Sequence, residues 1–272
     1  MNDLKMSDGI LIEVQDLNPK AKKVVVLVHG WPIRKEMYEY QKDILVDAGY
    51  RVVSYDIRGF GDSETSAEHY DYNQLALDLK TVIDSLEVEK LNLVGFSMGG
   101  AICVRYMSLF QNAKISKLAL LGAAAPSFDK TEKNPYGHTK ESTNQLIQNL
   151  YEDRPKTVTE FGNTVFAKHH SPEFMAWFQG LCFSASGIGT IQTAISLREE
   201  NLFYDLKKIE VPTIIMHGKK DKICPFGFAE IMAKEIKNSL LDPFEESGHG
   251  LFFDERMKTN HDLIEFFETK YE

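Results

Sequence analysis

Residues 95–99 read Gly-Phe-Ser-Met-Gly, a serine held between two glycines at the spacing G-x-S-x-G. A serine hydroxyl is a weak nucleophile at neutral pH, so chemistry at Ser97 needs a base beside it and a backbone that pushes it into the open. A sharp turn from strand to helix does the second, usually in a strained conformation. It leaves no room for a Cβ on its flanks, which is the service glycine performs. From residue frequencies alone the pattern should arise in roughly one chain in ten of this length, so its surroundings must decide. They fit. Leu91-Asn92-Leu93-Val94 reads as a buried strand leading in, and Gly99 to Phe110 as a helix leading out.

A base and an acid should follow in the order Ser, Asp or Glu, His. Asp221 stands in His-Gly-Lys-Lys-Asp-Lys-Ile-Cys-Pro, just after an apolar run. His249 stands in Glu-Ser-Gly-His-Gly-Leu-Phe, a glycine-flanked loop between a short strand and the last helix. In such an arrangement His249 takes the serine proton during attack and returns it to the leaving group. Asp221 fixes the imidazole tautomer and stabilises the transient imidazolium. An alternative carboxylate after the preceding strand is not offered by Gly122-Ala123-Ala124-Ala125-Pro126, and Asp129 lies further on, so Asp221 is the expected acid. The backbone N–H of Met98, next to the serine at the start of a helix, is an expected donor to an oxyanion.

The elements needed to position these groups can be read from periodicity. Val24–Val28, Arg51–Tyr55, Leu91–Gly95, Lys117–Leu121 and Pro212–Gly218 are apolar runs suited to strands buried on both faces. Between them lie helical patterns over Met37–Ala48, Asn73–Leu86, Gly99–Phe110, Phe226–Ile236 and His261–Phe267. Alternation at this spacing predicts a mostly parallel central sheet flanked by helices. The regularity stops between the fourth run and the fifth. Residues 1–126 and 206–272 are therefore expected to form an α/β core, with 127–205 inserted as a helical cap, because a structureless loop that long would be improbable.

Taken together, these residues resemble an α/β-hydrolase fold enzyme, and within that superfamily the aryl esterases, perhydrolases and cofactor-free haloperoxidases. His29-Gly30-Trp31-Pro32, Asp56-Ile57-Arg58-Gly59-Phe60-Gly61-Asp62-Ser63, Gly95-Phe96-Ser97-Met98-Gly99-Gly100 and Gly248-His249-Gly250 carry the likeness, over about the first 126 and last 67 residues. The resemblance implies ester cleavage through an acyl-enzyme, with no cofactor and no metal. It also implies a second oxyanion donor from the loop at His29, where the Trp31 N–H is the choice and Pro32 has no N–H to give. Some members of the group pass the acyl group to hydrogen peroxide, and a proline in this loop accompanies that activity, so Pro32 permits it. Related dehalogenases and epoxide hydrolases carry Asp where this chain has Ser97. Lactones, thioesters and carbon–carbon bonds remain open as substrates, as does a slow-turnover ligand receptor on the same fold.

Other features have plainer expectations. His29 should order its loop by hydrogen bonding, while Asp56, Arg58, Asp62 and Ser63 should stabilise the turn after their strand. His169-His170 reads as surface, Cys103 as a small core residue, and Cys224 as a candidate for partial exposure. Aromatic residues in the insertion divide between its own core and an acyl pocket, for which Trp177 and Phe178 are candidates together with Phe96 beside the serine. The net charge of −9 and the absence of a basic stripe speak against nucleic acid. Three cysteines at wide spacing, no apolar leader and no run of about 18 apolar residues predict a cytoplasmic protein acting on a small molecule away from membranes.

Overall fold

Runs with no polar face must be covered on both sides, and they form the middle of a sheet. The computed structural model describes residues 3–271. In chain order, β1 (Leu4–Lys5) and β2 (Leu11–Ile12) make a small antiparallel ribbon, followed by β3 (Val14–Leu17). The five expected runs appear as β4 (Lys23–Val28), β5 (Tyr50–Tyr55), β6 (Leu91–Phe96), β7 (Ile115–Leu121) and β8 (Thr213–Gly218). The last strand is β9 (Ser239–Phe244). The main sheet has the order β3-β5-β4-β6-β7-β8-β9. All its neighbours are parallel except β3, which runs antiparallel to β5 with Val14 opposite Tyr55 and Leu17 opposite Val52. At this edge, Val14-Gln15-Asp16-Leu17 is too short and too polar to announce itself in the sequence. At the other edge Pro243 sits in β9, where a missing N–H is tolerated.

Helices cover both faces. They are α1 (Glu39–Asp47), α2 (Tyr72–Ser85), α3 (Met98–Leu109), α4 (Lys140–Gly162), α5 (Pro172–Phe183), α6 (Gly187–Glu199), α7 (Phe203–Leu206), α8 (Gly227–Glu235), α9 (Leu251–Asp254) and α10 (Arg256–Glu268). The expected helix from Met37 begins instead as a 3-10 turn over Lys35–Tyr38, and α1 starts only at Glu39. The Lys35 N–H and its ammonium both bond Asp56, at 2.9 and 2.8 Å, and this anchors the turn. Sequence-local caps set other starts. Asp71 accepts from the N–H groups of Asn73 and Gln74, Ser171 from Phe174 and Ser186 from Gly189. Four helices, α4 to α7, lie between β7 and β8, and α4 is kinked at Asp153, two residues before Pro155. Among the described residues, no helix is long and apolar enough to cross a membrane.

The turn after β5 is held as its residue types suggest. Arg58 is wholly buried, with Nε and Nη2 donating to the two oxygens of Asp78 at 2.6 and 2.7 Å and Nη1 to Asp8 at 2.7 Å. Ser63 Oγ donates to the Asp56 carbonyl at 2.6 Å, and the Asp62 N–H to the Asp56 carboxylate at 3.0 Å. Removing one partner of a buried pair strands the other charge. Arg58→Met should therefore lower unfolding stability by about 3–5 kcal/mol in urea titration at neutral pH. A loss under about 1 kcal/mol would show that the pair does not hold this turn.

Candidate active site

Ser97 connects β6 directly to α3 and takes φ 53° and ψ −120°, a left-handed conformation that L side chains avoid. The strain is held by bonds on either side. The Ser97 N–H donates to the Leu121 carbonyl at 2.9 Å, and the Ser97 carbonyl accepts from Ala124 at 3.0 Å. A Cβ on Gly99 would lie 2.3 Å from the Val28 carbonyl oxygen and 2.4 Å from that of His29. Only glycine lets α3 approach the end of β4 this closely. Met98 begins α3, so its N–H belongs to the first turn and has no partner within the helix.

Asp221 follows β8 and is buried. One of its oxygens accepts from the N–H groups of Ile223 and Cys224, each at 2.8 Å. The other lies 2.8 Å from His249 Nδ1 and 3.3 Å from His217 Nε2. Burial would raise the carboxyl. The facing His249, the hydrogen bond it gives and the nearby His217 N–H outweigh it and hold Asp221 well below the usual carboxylate range. A carboxylate accepts only, so His249 carries its proton on Nδ1. Its Nε2 is buried and has no hydrogen-bond partner among the described residues. The His249 ring lies 4.7 Å from that of Phe96, the residue before Ser97.

His29 explains how the neighbouring loop is oriented. The Ile57 N–H donates to His29 Nε2 at 2.9 Å, so Nδ1 bears the proton and donates to the Gly30 carbonyl at 2.8 Å. The carbonyl and N–H of one trans peptide point in opposite directions, and the Trp31 N–H therefore faces away from His29. Burial lowers the His29 pKa and keeps the ring neutral in this role. The Trp31 indole donates to the Thr190 carbonyl at 2.9 Å and meets Phe161 edge-on at 4.9 Å.

Ser97 and Trp31 border a cavity of about 210 Å³ walled by Phe128, Leu146, Phe161, Leu197 and Ile223, with His138, Ser142, Thr143, Thr164 and Lys222 as its other polar members. The pocket candidates Phe96, Trp177 and Phe178 lie outside it. Phe96 stacks between His249 and Phe252, Trp177 reaches Tyr40 and Phe174, and Phe178 packs on Phe166 and Phe252. The aromatics of α5 thus serve the contact with α9, while α4 and α6 supply the cavity wall. Asp129, the alternative acid, bonds Thr143 instead. Cys224 is fully buried rather than part-exposed; burial and the charge of Asp221 push its thiol well above the ordinary value, opposed by the adjacent Ser97 hydroxyl. His169 is exposed, but His170 donates to Asp254 at 2.8 Å.

Sequence reasoning missed two groups here, His217 and Asp254. Asp254 accepts from the N–H groups of Gly248, Ala167 and Lys168 as well as from His170, joining the loop of His249 to the stretch before α5. The position of His217, four residues before Asp221 at the end of a buried strand, was the available signal.

A family model described as the alpha/beta hydrolase fold matches residues 23–256. The chain belongs to the α/β-hydrolase family. Among solved structures, this α/β hydrolase is similar to an esterase (EaEST) from Exiguobacterium antarcticum, at 44% identity and TM-score 0.96, covering 98% of this chain and 99% of that one. It is 43% identical to the AB hydrolase superfamily protein YisY of Bacillus subtilis (strain 168), over 97% of each chain. It is 31% identical to the bifunctional esterase/perhydrolase DCH of Acinetobacter calcoaceticus, over 99% of this chain and 100% of that one.

A Cβ on Gly30 would lie 2.8 Å from Phe96 Cδ1 and 2.9 Å from Ser97 Cβ. Gly30→Ala should therefore disturb Ser97 before it disturbs the core, slowing fluorophosphonate labelling of the serine by about tenfold or more. Labelling at the wild-type rate would show that this contact does not govern the elbow.

Proposed function

We propose that this α/β hydrolase cleaves carboxylic esters of small acyl groups through an acyl-enzyme on Ser97. The observation that carries the reading is the buried His249–Asp221 pair, at 2.8 Å, whose imidazole keeps Nε2 without a hydrogen-bond partner among the described residues and whose ring lies 4.7 Å from that of Phe96, the residue before Ser97. Ser97 Oγ attacks the ester carbonyl as His249 Nε2 takes its proton. The tetrahedral oxyanion accepts from the N–H groups of Trp31 and Met98. Collapse breaks the bond to the alcohol, which leaves with the proton from His249. Water, deprotonated by the same nitrogen, then attacks the acyl-enzyme and releases the acid. No metal or cofactor is needed for any step. The helices within 127–205 act as a cap over Ser97, and the buried free cysteines suit a reducing cytoplasm.

Hydrogen peroxide can replace water in the second attack and yield a peracid. Pro32 in the oxyanion loop and the relative named a bifunctional esterase/perhydrolase support this as a side activity.

At about 210 Å³ the cavity is smaller than the roughly 300–1,000 Å³ of most small-molecule sites, which favours short acyl chains. With p-nitrophenyl esters, kcat/KM for the butyrate should exceed that for the decanoate by roughly tenfold or more, because the longer chain overfills the space. An equal or reversed preference would contradict the assigned pocket. Ser97→Ala should lower kcat by about 10³-fold or more on either ester. Turnover that survives this substitution undiminished would remove Ser97 from the reaction.

A further inference from the structure

We infer that His217 is a positioning residue for Asp221, a second imidazole that shares the carboxylate with His249 and limits how strongly that carboxylate attracts the His249 proton. The inference rests on the hydrolase reading above and extends it to a side chain which that mechanism does not use.

His217 is wholly buried at the end of β8. Its Nε2 lies 2.6 Å from the Cys224 carbonyl oxygen and 3.3 Å from Asp221 Oδ2. A carbonyl can only accept, so Nε2 carries a proton and gives it to the Cys224 carbonyl, with Asp221 Oδ2 beside the same N–H. The opposite nitrogen, Nδ1, is buried with no hydrogen-bond partner among the described residues. A proton placed there would be buried without an acceptor, so the ring is neutral and its tautomer fixed. The unpartnered nitrogen is itself a cost that an apolar side chain of similar size would avoid. What such a side chain could not supply is the N–H facing Asp221.

With that N–H in place, Asp221 accepts from two backbone N–H groups on Oδ1 and from His249 on Oδ2, and the His217 N–H stands 3.3 Å from the same Oδ2. The direction of the effect follows. Each donor withdraws negative charge from the oxygen that faces His249. Without the His217 donor, Oδ2 attracts a protonated His249 more strongly, and a higher pH is needed to free the base. Other polar groups surround the pair. Lys219 lies over the Phe226 ring, which meets His217 edge-on, and Lys222 borders the cavity. Lys220 pairs with Glu246 at the surface, and His138 Nε2 lies 2.7 Å from the Ile223 carbonyl. The Cys224 thiol and the Tyr72 phenol are both pushed well above their ordinary values by burial. Asp254 reaches the His249 loop through the Gly248 N–H. Of these side chains, His217 is the one that shares Oδ2 with His249.

The test compares His217→Leu, which removes the donor, with His217→Gln, whose amide places an N–H near the former Nε2. Rates are measured with p-nitrophenyl butyrate from pH 5 to 9 and divided by active sites titrated with a phosphonate. The Leu variant should show the acid limb of kcat/KM moved up by about half a pH unit or more, with plateau kcat down roughly tenfold and KM little changed. The Gln variant should keep the wild-type limb. A limb unmoved in Leu, or moved equally in both, would overturn the inference.

A measurement on the wild type covers the case in which the Leu variant does not fold. Nitrogen-15 NMR of the imidazoles at neutral pH should show the His217 proton on Nε2 and not on Nδ1, and the reverse tautomer would overturn the inference. Ser97→Ala is assayed in parallel. If it retains full turnover, the hydrolase reading fails and this inference with it; if it is inactive while the Leu profile is unchanged, only this inference fails.

Discussion

The candidate site depends on one steric constraint: the first turn of α3 lies directly against the carbonyl groups at the end of β4. Gly99 meets the Val28 and His29 oxygens where a Cβ would overlap them. With α3 held there, the chain has no length in which to turn gradually, and Ser97 alone takes the left-handed conformation between strand and helix. The same closeness brings Gly30 against Ser97 Cβ, so the serine and the Trp31 peptide form one rigid unit. His29 completes it by fixing the direction of the Gly30 carbonyl. An N–H fixed in this way would need no rearrangement if charge developed beside it.

The second rigid unit is electrostatic. Asp221 is buried, and burial of a carboxylate is unfavourable unless donors surround it. Three of them bond it, two from the backbone of its own loop and one from His249, and the His217 N–H stands 3.3 Å away. The arrangement leaves His249 Nε2 as the unfilled valence of the network. Asp254 extends this order outward: by bonding Gly248, Ala167, Lys168 and His170 together, it ties the His249 loop to the helical insertion. A shift of the insertion would therefore be felt at the imidazole of the next residue, His249, through the Gly248 anchor.

The parts legible in the sequence are those governed by short-range rules. Buried strands such as Val24–Val28 and Thr213–Gly218 are continuous apolar runs, and the glycine-flanked serine reports its own turn. The chain order of Ser97, Asp221 and His249 anticipated the Asp221–His249 bond. Edge strand β3 was illegible because half its residues face water or ion partners; Asp16 is paired with Arg51 across the sheet edge. The cavity wall was not legible for a different reason. Trp177 and Phe178 are large and apolar, and a sequence cannot say whether such a face meets substrate or another helix; here Trp177 meets Tyr40 of α1, and Phe178 meets Phe166 and Phe252 of α9. Leu146, Leu197 and Ile223 look like any core residues until the insertion is folded over Ser97. The spacing of His217, four residues before Asp221, was a signal, but its approach to the carboxylate is a distance between two side chains that spacing alone does not fix.

The central claim is that Ser97, the Trp31 and Met98 amides and His249 form one reacting centre. A crystal structure of the protein after reaction with an alkyl p-nitrophenyl phosphonate tests it most directly. The account predicts phosphorus bonded to Ser97 Oγ, with the phosphoryl oxygen about 3 Å from both amide nitrogens. Phosphorus on another side chain, or a phosphoryl oxygen turned away from both amides, would contradict it.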